Sequence, residues 1–313
     1  AGCGVVLLFL TLGFFWKALQ DPSPRHVALL GIFSILSVHC VYYNSILLFA
    51  MGMGGIAVGL RQRDRRKVLM VLGIGTAAAV TLLPYWNIVS RTNWGVLIQA
   101  PFTVSKMIGK VRETVELAGS HVFWLWSAIL ASAILACLWR YFAKVGESDF
   151  QTRDRALFLL TTLAVAVVGY GTFLKVLSYP TQYWYYLAIL AMLAVLLDSA
   201  IQILAESMPA VRVIRLVGVL IILSTTCLQT WNAVHTRMTN IDLSASVLNK
   251  VTTAKDLIVV NPWFLGISFD HYYKGTVPWV TVPPVADRRF HRYDLFLEKM
   301  TEAYPLASVH EKI

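Results

Sequence analysis

The first three quarters of the chain alternate between long apolar runs and short polar connections. A helix needs roughly 20 apolar residues to cross a hydrocarbon core of about 30 Å, and the period-two alternation of barrel strands is absent from these runs. Eight transmembrane helices are therefore predicted, each satisfying its own backbone groups. The predicted spans are residues 1–16, 27–39, 45–60, 68–86, 122–139, 157–177, 185–205 and 216–234.

The stretch 27–60 fits either one overlong helix or two short helices joined at residues 39–44, His-Cys-Val-Tyr-Tyr-Asn. Charge separates the two alternatives. With two helices, the basic turn at residues 61–67 lies on the same side of the membrane as Lys17 and Arg25. One helix would place these basic clusters on opposite faces, against the tendency of cytoplasmic loops to carry Lys and Arg. The sequence thus favours two short helices.

Lys and Arg are concentrated in one set of the resulting loops. The predicted inner loops hold 13 Lys/Arg in 44 residues, and the predicted outer loops hold four in 47. The inner loops are residues 17–26, 61–67, 140–156 and 206–215, and the outer loops are residues 40–44, 87–121 and 178–184. This asymmetry predicts that the segment after residue 234 lies outside the cytoplasm.

Residues 235–313 have the composition of a water-soluble domain and follow a helix, strand, helix, strand, helix pattern. The predicted helices cover residues 241–251, 263–273 and 293–304, and the predicted strands cover 257–260 and 278–282. Asn240 and Asn261 are expected to cap the first two helices, with Pro262 at a first helical position and Gly275 as a stop. This order predicts a small parallel-sheet layer resembling half a Rossmann unit.

The predicted fold class is a membrane all-α protein with about eight transmembrane helices in residues 1–234 and a small C-terminal α/β domain in residues 235–313. Two strands are too few for an independently stable sheet, so the second domain is expected to be incomplete or to lean on the membrane part. The first apolar run starts without an initiator Met or a basic flank, unlike a signal peptide. Earlier spans are therefore expected upstream of Ala1.

The net charge of +10 is a topology signal. Residues 1–234 carry 18 basic and 9 acidic side chains, whereas residues 235–313 carry 9 and 8, so nucleic-acid binding is not predicted. The four cysteines lie in or beside apolar spans at unrelated spacings, which suggests neither a disulfide framework nor a zinc site. Walker, HExxH and GxSxG patterns are absent. No cofactor is predicted, and a divalent metal is left open.

Tyr42 and Tyr43, with His39 and Asn44, cluster where the two short helices meet near the outer surface. Short or broken helices often mark sites, because their free backbone ends and polar side chains can face a cavity. Tyr and Trp are also enriched at headgroup depth without any further role. The cluster is interpreted either as an interfacial aromatic belt or as a surface that contacts lipid or substrate.

A second aromatic turn covers residues 178–186, Ser-Tyr-Pro-Thr-Gln-Tyr-Trp-Tyr-Tyr, and Lys175 stands one turn before it. Aromatic faces stack on sugar rings and Lys pairs with phosphate, so this turn is a candidate rim for a glycan or a lipid-linked sugar. The alternative is interfacial anchoring, with the Lys175 ammonium extending to the headgroups.

Three other polar segments are interpreted as structural. Residues 104–117 are expected to form an amphipathic helix at the outer interface. Asp198, an acid well inside a run, is expected to bond with Gln202 or a neighbouring helix rather than to act in catalysis. Surface caps or ion pairs, and not a metal site, are expected of polar tail residues whose spacing matches no standard ligand pattern. These are Asp270, His271, Asp287, His291, Arg292 and Asp294.

The short helix pair around residues 39–44, the basic inner turn, a span closing in Leu83, Pro84 and Tyr85, and the outer turn at 179–186 together resemble the later membrane half of the GT-C glycosyltransferases. The pattern is similar to bacterial members of the protein-mannosyltransferase-like group (family 39, ArnT and Rgt type). The resemblance implies transfer of a sugar from a polyprenyl-phosphate donor to a lipid, glycan or protein acceptor. The reaction would take place on the outer face of a bacterial inner (plasma) membrane.

The resemblance implies substrate-binding roles for His39, Tyr42 and Tyr43 beside the site and for Lys175 and Gln182 on its rim. It also implies that the catalytic carboxylate lies in a first outer loop upstream of this chain, which leaves the catalytic residue unknown. The implied partners are a polyprenyl-phosphate-linked sugar and membrane lipids. A multi-pass transporter or flippase and a non-catalytic scaffold that presents the tail are the alternatives. Scarce mid-membrane charge and no internal repeat argue against an ion-coupled carrier.

Overall fold

The computed structural model describes residues 2–86, 103–116, 120–142, 150–177, 184–205, 209–237, 239–289 and 291–312. The chain divides into two compact units, of which the first extends to Thr226 and the second contains Cys227–Ile313. The first unit is helical, and the second combines helices with a two-stranded sheet.

Nine helices are described between Gly2 and His235. They are α1 Gly2–Gln20, α2 Pro24–Cys40, α3 Asn44–Arg61, α4 Arg65–Val80, α5 Val104–Glu116, α6 Ser120–Phe142, α7 Phe150–Leu177, α8 Trp184–Ala205 and α9 Pro209–His235, with a 3₁₀ turn at Leu83–Tyr85. Within the described residues, seven of the eight predicted apolar runs fall on one of these helices, and the run 68–86 covers α4 and the 3₁₀ turn after it. The stretch 27–60 forms two helices, and residues 104–116 form the predicted additional helix, so both of these predictions are confirmed.

Five helices within the described residues are long and apolar enough to cross a membrane. They are Gly2–Gln20, Asn44–Arg61, Arg65–Tyr85, Phe150–Val176 and Tyr185–Gln202. Two further apolar helical segments, Pro24–Cys40 and Trp126–Trp139, are shorter. The architecture is therefore that of a helical membrane protein, and the full count of eight spans stays a prediction.

Helix α3 runs parallel to α1, because corresponding ends of the two helices meet. Near one end, the Nδ2 amide of Asn44 donates to the carbonyl oxygens of Gly4 at 3.2 Å and Ser37 at 3.3 Å. Near the other end, Phe15 lies so close to Gly55 that a Cβ added there would stand 2.5 Å from Phe15 Cε1. Since Ser37 lies near the end of α2, that helix runs antiparallel to both.

Helix α7 packs antiparallel against α3. A Cβ added at Gly169 would stand 3.1 Å from Ile46 Cγ2. Further along, a Cβ added at Gly54 would overlap Thr162 Oγ1 and lie 3.0 Å from the Phe158 carbonyl oxygen. Small residues let two helix backbones approach this closely in a membrane, where van der Waals packing holds helices together. The glycine face of α3 thus fixes its contact with α7.

The second unit has the predicted helix and strand order. Its elements are α10 Ile241–Val251, β1 Ile258–Val260, α11 Leu265–Tyr272, β2 Trp279–Thr281, α12 Tyr293–Thr301 and α13 Ala307–His310. The strands are parallel, with Ile258 opposite Trp279 and Val260 opposite Thr281. Phe269 and Tyr273 of the α11 segment pack with β1 in one buried apolar cluster. The prediction of a two-stranded parallel layer is confirmed.

The cap position of Asn240 is confirmed, whereas the predicted start of the second helix and the predicted end of the third helix are wrong. Asn240 stands at the cap of α10 but makes no side-chain capping bond, and the Ile241 amide donates to Thr239 Oγ1 at 3.3 Å. Helix α11 begins at Leu265, two residues later than predicted, with Phe264 and not Asn261 at its N-cap and with Pro262 outside the helix. The Asn261-Pro262 segment instead forms a turn, and Trp263 stacks on the Phe296 ring. Helix α12 ends at Thr301 and not at residue 304, because Pro305 has no N–H to donate to the Thr301 carbonyl and disfavours helical conformation at residue 304.

Candidate functional site

Asn44 holds the turn that joins α2 and α3. Its side chain is fully buried, and its Nδ2 amide also donates to Ser37 Oγ at 3.1 Å. Its backbone N–H donates to the Val41 carbonyl oxygen at 2.9 Å. Carbonyl groups at the end of a helix have no intrahelical partner. The Asn44 N–H supplies a partner for the carbonyl oxygen of Val41, the residue that caps α2. Asn44 is therefore structural, and the turn presents the two tyrosines that precede it.

Six aromatic side chains meet at this end of the first unit and are called the aromatic cluster. They are Tyr42, Tyr43, Tyr170, Phe173, Tyr185 and Tyr186. The Tyr43 ring centroid lies 5.8 Å from that of Tyr185 and 6.3 Å from that of Tyr170. The Tyr170 hydroxyl donates to the Tyr185 carbonyl oxygen. The tyrosine turn after α2 therefore lies beside the start of α8. This proximity agrees with the prediction that both lie on the same side of the membrane.

The aromatic cluster has a buried base and an exposed edge. Tyr170 and Tyr186 are each 2% exposed and Tyr43 is 8% exposed, whereas Tyr42 is 56% exposed. The Tyr42 ring meets the Tyr43 ring edge-on, with centroids 5.6 Å apart and planes at 77°. Edge-to-face packing is a favourable arrangement of aromatic rings. The Tyr43 ring thus holds the Tyr42 ring in one orientation, while much of the Tyr42 ring stays accessible to a ligand.

The other predicted substrate-binding residues are distributed around this cluster. His39 is exposed near the end of α2, and its ring centroid lies 5.6 Å from that of Tyr85 in the 3₁₀ turn after α4. Lys175 is exposed on α7, five residues after Tyr170. Gln182 lies outside the described residues. The structure therefore joins Tyr42 and Tyr43 directly to the cluster and places His39 against a different helix end.

Sequence reasoning missed Tyr170 and Phe173, which supply the base of the cluster. Both fall within the predicted span 157–177, where the apolar pattern gives them no separate role. Residues three apart lie on one face of a helix. The spacing of these two aromatic residues, a few positions before Lys175 at the span end, was the signal that could have identified them.

The opposite end of the first unit carries a polar network around Asp154. Arg61 Nη1 and Gln62 Nε2 each donate to a different Asp154 carboxylate oxygen at 2.7 Å. Lys67 Nζ donates to Gln62 Oε1 at 2.6 Å. The network joins two of the predicted inner loops. The sequence prediction places Asp154 in a connection, whereas it lies in α7 with its side chain only 11% exposed.

The expected bond between Asp198 and a neighbouring helix is confirmed. Its Oδ2 atom lies 2.6 Å from Arg215 Nη2, which joins α8 to α9. The same guanidinium donates through Nη1 to Gln202 Oε1 at 2.7 Å. An acid in a predicted span is therefore held by a cation from the neighbouring helix.

Polar side chains of the second unit form ion pairs, as predicted. Arg292 contacts Asp294 at 2.6 Å and Asp287 at 2.9 Å, and Arg289 contacts Asp287 at 3.1 Å. The His291 ring instead packs edge-on against Trp263, with centroids 6.1 Å apart. Within the described ranges, no group of three or more His, Cys, Asp or Glu side chains is arranged to hold a metal ion.

Replacing Arg292 with glutamine is expected to raise the pKa of Asp294. The hydrogen bond from Arg292 is the main cause that holds the pKa of Asp294 below its ordinary value, which is about 3.9. A lowered carboxyl pKa contributes stability that is present above the ordinary pKa and is lost as the pH falls through the folded-state pKa. Carboxyl carbon NMR titration of the whole chain would measure the change.

Asp256 is the internal control for that titration. The Thr253 backbone N–H lowers the pKa of Asp256, and Arg292→Gln leaves that bond untouched. Equal upward movement of both carboxyl titrations would show that the substitution acts through loss of structure and not through the ion pair.

Comparison of the chain with protein-family models, with curated proteins and with solved structures finds no match. The class of protein is therefore defined by the fold alone. It is a helical membrane protein whose first unit has an aromatic cluster at one end and a polar, basic network at the other.

Proposed function

We propose that this chain belongs to a membrane glycosyltransferase of the GT-C type. The enzyme moves a sugar from a polyprenyl-phosphate donor to a lipid, glycan or protein acceptor at the end of the first unit that carries the aromatic cluster. The observation that carries the proposal is the exposed ring of Tyr42, held on a buried aromatic base where the tyrosine turn after α2 meets α8.

The chemistry of this end suits a lipid-linked sugar. The Tyr42 ring offers an apolar face to a sugar, and a rigid base keeps that face in one orientation. Lys175 lies on the same helix as Tyr170 and exposes its side chain. A cation near the donor phosphate stabilises the charge that develops as the lipid phosphate departs. In this proposal His39 donates a hydrogen bond at the same end, and a carboxylate removes the acceptor proton.

The charge asymmetry of the loops supports the outer face as the location of the reaction. The network around Arg61 and Lys67 belongs to the lysine- and arginine-rich loops, which remain in the cytoplasm. Because α3 and α7 run between the two ends, the aromatic cluster then faces the other side of the membrane. We propose the bacterial inner membrane as the site, with the second unit also outside the cytoplasm.

Tyr42→Ala and His39→Ala are each expected to lower sugar transfer about tenfold, since one lost contact worth about 1.4 kcal/mol changes a rate or affinity by that factor. Membranes carrying either the natural protein or one of the variants are incubated with radiolabelled polyprenyl-phosphate sugars. The rate at which label leaves the lipid is then compared between them. Phe142→Ala is the matched control, because Phe142 is 74% exposed at the end of α6, and it is expected to leave transfer unchanged.

Two outcomes would contradict the proposal. Unchanged transfer in both variants would remove the aromatic end from the reaction. Label that crosses the membrane while remaining on the lipid would instead identify a transporter or flippase.

A further inference from the structure

A cavity of about 240 Å³ opens at the polar end of the first unit. It lies between the end of α1, the end of α3, the start of α4 and the start of α7. Its lining residues are Trp16, Leu19, Gln20, Val58, Gln62, Lys67, Gln151 and Asp154. One water needs about 10–15 Å³ of this kind of space, so the cavity is large enough to admit a phosphate group. Trp16, Leu19 and Val58 form an apolar wall. The remaining wall carries three glutamine amides and the charged groups of Lys67 and Asp154.

The carboxylate in this cavity is paired with a cation. Asp154 accepts a hydrogen bond from Arg61 on one oxygen and from Gln62 on the other, both at 2.7 Å. Charge-assisted bonds of this length are strong, and they occupy the two oxygens from the α3 side. Asp154 therefore presents little negative charge to a ligand.

Lys67 is the cation that faces the cavity. Its side chain is only 13% exposed, which is unusual for lysine unless the ammonium is paired. Within the described part of the chain, Nζ donates to Gln62 Oε1 at 2.6 Å and forms a long ion pair with Asp64 Oδ2 at 3.9 Å. An ammonium has three donors, so these contacts leave Lys67 able to bind an anion.

The surroundings reinforce a preference for anions. Residues 17–25, 61–67 and 151–155 contain nine Lys/Arg and three Asp. Arg155 lies over the ring of Trp16, which lines the cavity, at 5.9 Å from the ring centroid. Basic pockets between membrane helices on the cytoplasmic side bind the head groups of anionic lipids.

We propose that this cavity binds the phosphate group of an anionic phospholipid from the cytoplasmic leaflet. Lys67 contacts the phosphate, Gln20 and Gln151 bond with its oxygens, and Trp16, Leu19 and Val58 contact the glycerol and the first acyl carbons. The chemistry that is recognised is a phosphate ester. The apolar wall and the position at the end of membrane-spanning helices favour a lipid over free phosphate. The proposal is independent of sugar transfer.

Titration of the full chain with phosphatidylglycerol in zwitterionic micelles tests the proposal. The midpoint of thermal unfolding is expected to rise with the phosphatidylglycerol fraction, and native mass spectrometry is expected to detect the bound lipid. Lys67→Gln keeps a hydrogen-bonding side chain but removes the charge, and it is expected to weaken the apparent affinity at least tenfold. Arg65→Gln removes an exposed charge from the same turn and is expected to change the affinity less than threefold.

Gln151→Glu provides a second variant that leaves the Lys67 network intact. It adds a carboxylate to an exposed lining position and is expected to weaken lipid binding as strongly as Lys67→Gln. Equal weakening by Lys67→Gln and Arg65→Gln would indicate diffuse surface attraction and overturn the site. Inorganic phosphate is tested at the same phosphate concentration in zwitterionic micelles without the anionic lipid. If it raises the midpoint of thermal unfolding as much as the lipid does, the lipid assignment is overturned.

Discussion

Gly54→Leu is expected to destabilise the first unit by about 3 kcal/mol, at the upper end of the usual cost of overpacking a core. The leucine Cβ alone would overlap Thr162 Oγ1 and lie 3.0 Å from the Phe158 carbonyl oxygen. A backbone oxygen cannot move aside as a flexible side chain can, so α3 and α7 must separate. Separation exposes the interface that Phe158, Leu159 and Ala166 help to bury. The free energy of unfolding in micelles would measure the loss.

Gly73→Leu is the matched control for this substitution. A Cβ added at Gly73, in the middle of α4, meets nothing within 4 Å. Leucine is also the better helix former, so this variant is expected to be as stable as the natural protein or slightly more stable. A similar loss of stability in both variants would show that α3 and α7 do not depend on the close approach at Gly54.

Arg61→Met is expected to lower the free energy of unfolding by about 3 kcal/mol, because breaking a buried ion pair leaves its partner charge without compensation. Asp154 is 11% exposed in its side chain and would keep only the bond from Gln62. The estimate is at the low end for buried pairs, since the Arg61 side chain remains 23% exposed. Unfolding of the natural and variant chains in the same micelles gives the difference.

The double variant Arg61→Met/Asp154→Leu separates the ion pair from the space that it fills. Replacing both partners of a buried pair with apolar residues is often neutral or stabilising. The double variant is therefore expected to recover most of the lost stability. If it is as unstable as Arg61→Met alone, the loss comes from packing around residue 61 and not from an unpaired Asp154.

The two ends of the first unit differ in chemistry for a structural reason. Helices α3 and α7 run antiparallel, so the end of one helix lies beside the start of the other. Arg61 therefore meets Asp154, and Tyr43 meets Tyr170. The connections that the charge pattern predicts on one side of the membrane therefore lie at one end of the unit. The aromatic cluster and the polar network consequently lie at opposite ends of α3 and α7.

Several features followed from the sequence because they depend on local pattern. The break at residues 41–43 could be predicted, since the alternative left basic turns on opposite faces. The helix at Ile241–Val251 and the two strands after it also follow from periodicity and turn residues. The pairing of Asp198 with its neighbours was predictable because an intramembrane acid requires a partner.

Contacts between distant segments could not be predicted in the same way. Nothing local distinguishes Tyr170 from any other span residue until α7 brings it against Tyr43. His39 was expected beside the two tyrosines, but its ring contacts Tyr85 from the end of α4. Asp154 was assigned to a polar connection, and only the packing of α7 against the end of α3 buries it beside Arg61.

Hydropathy by itself determined which segments are helical, because a hydrocarbon core permits few backbone arrangements. Charge predicts which connections share a side, because cytoplasmic loops collect Lys and Arg. The tertiary structure decided which side chains meet. Those meetings depend on how closely helix backbones approach and in which register, and glycines such as Gly54 set that approach. The aromatic cluster and the Lys67 cavity are both products of this packing.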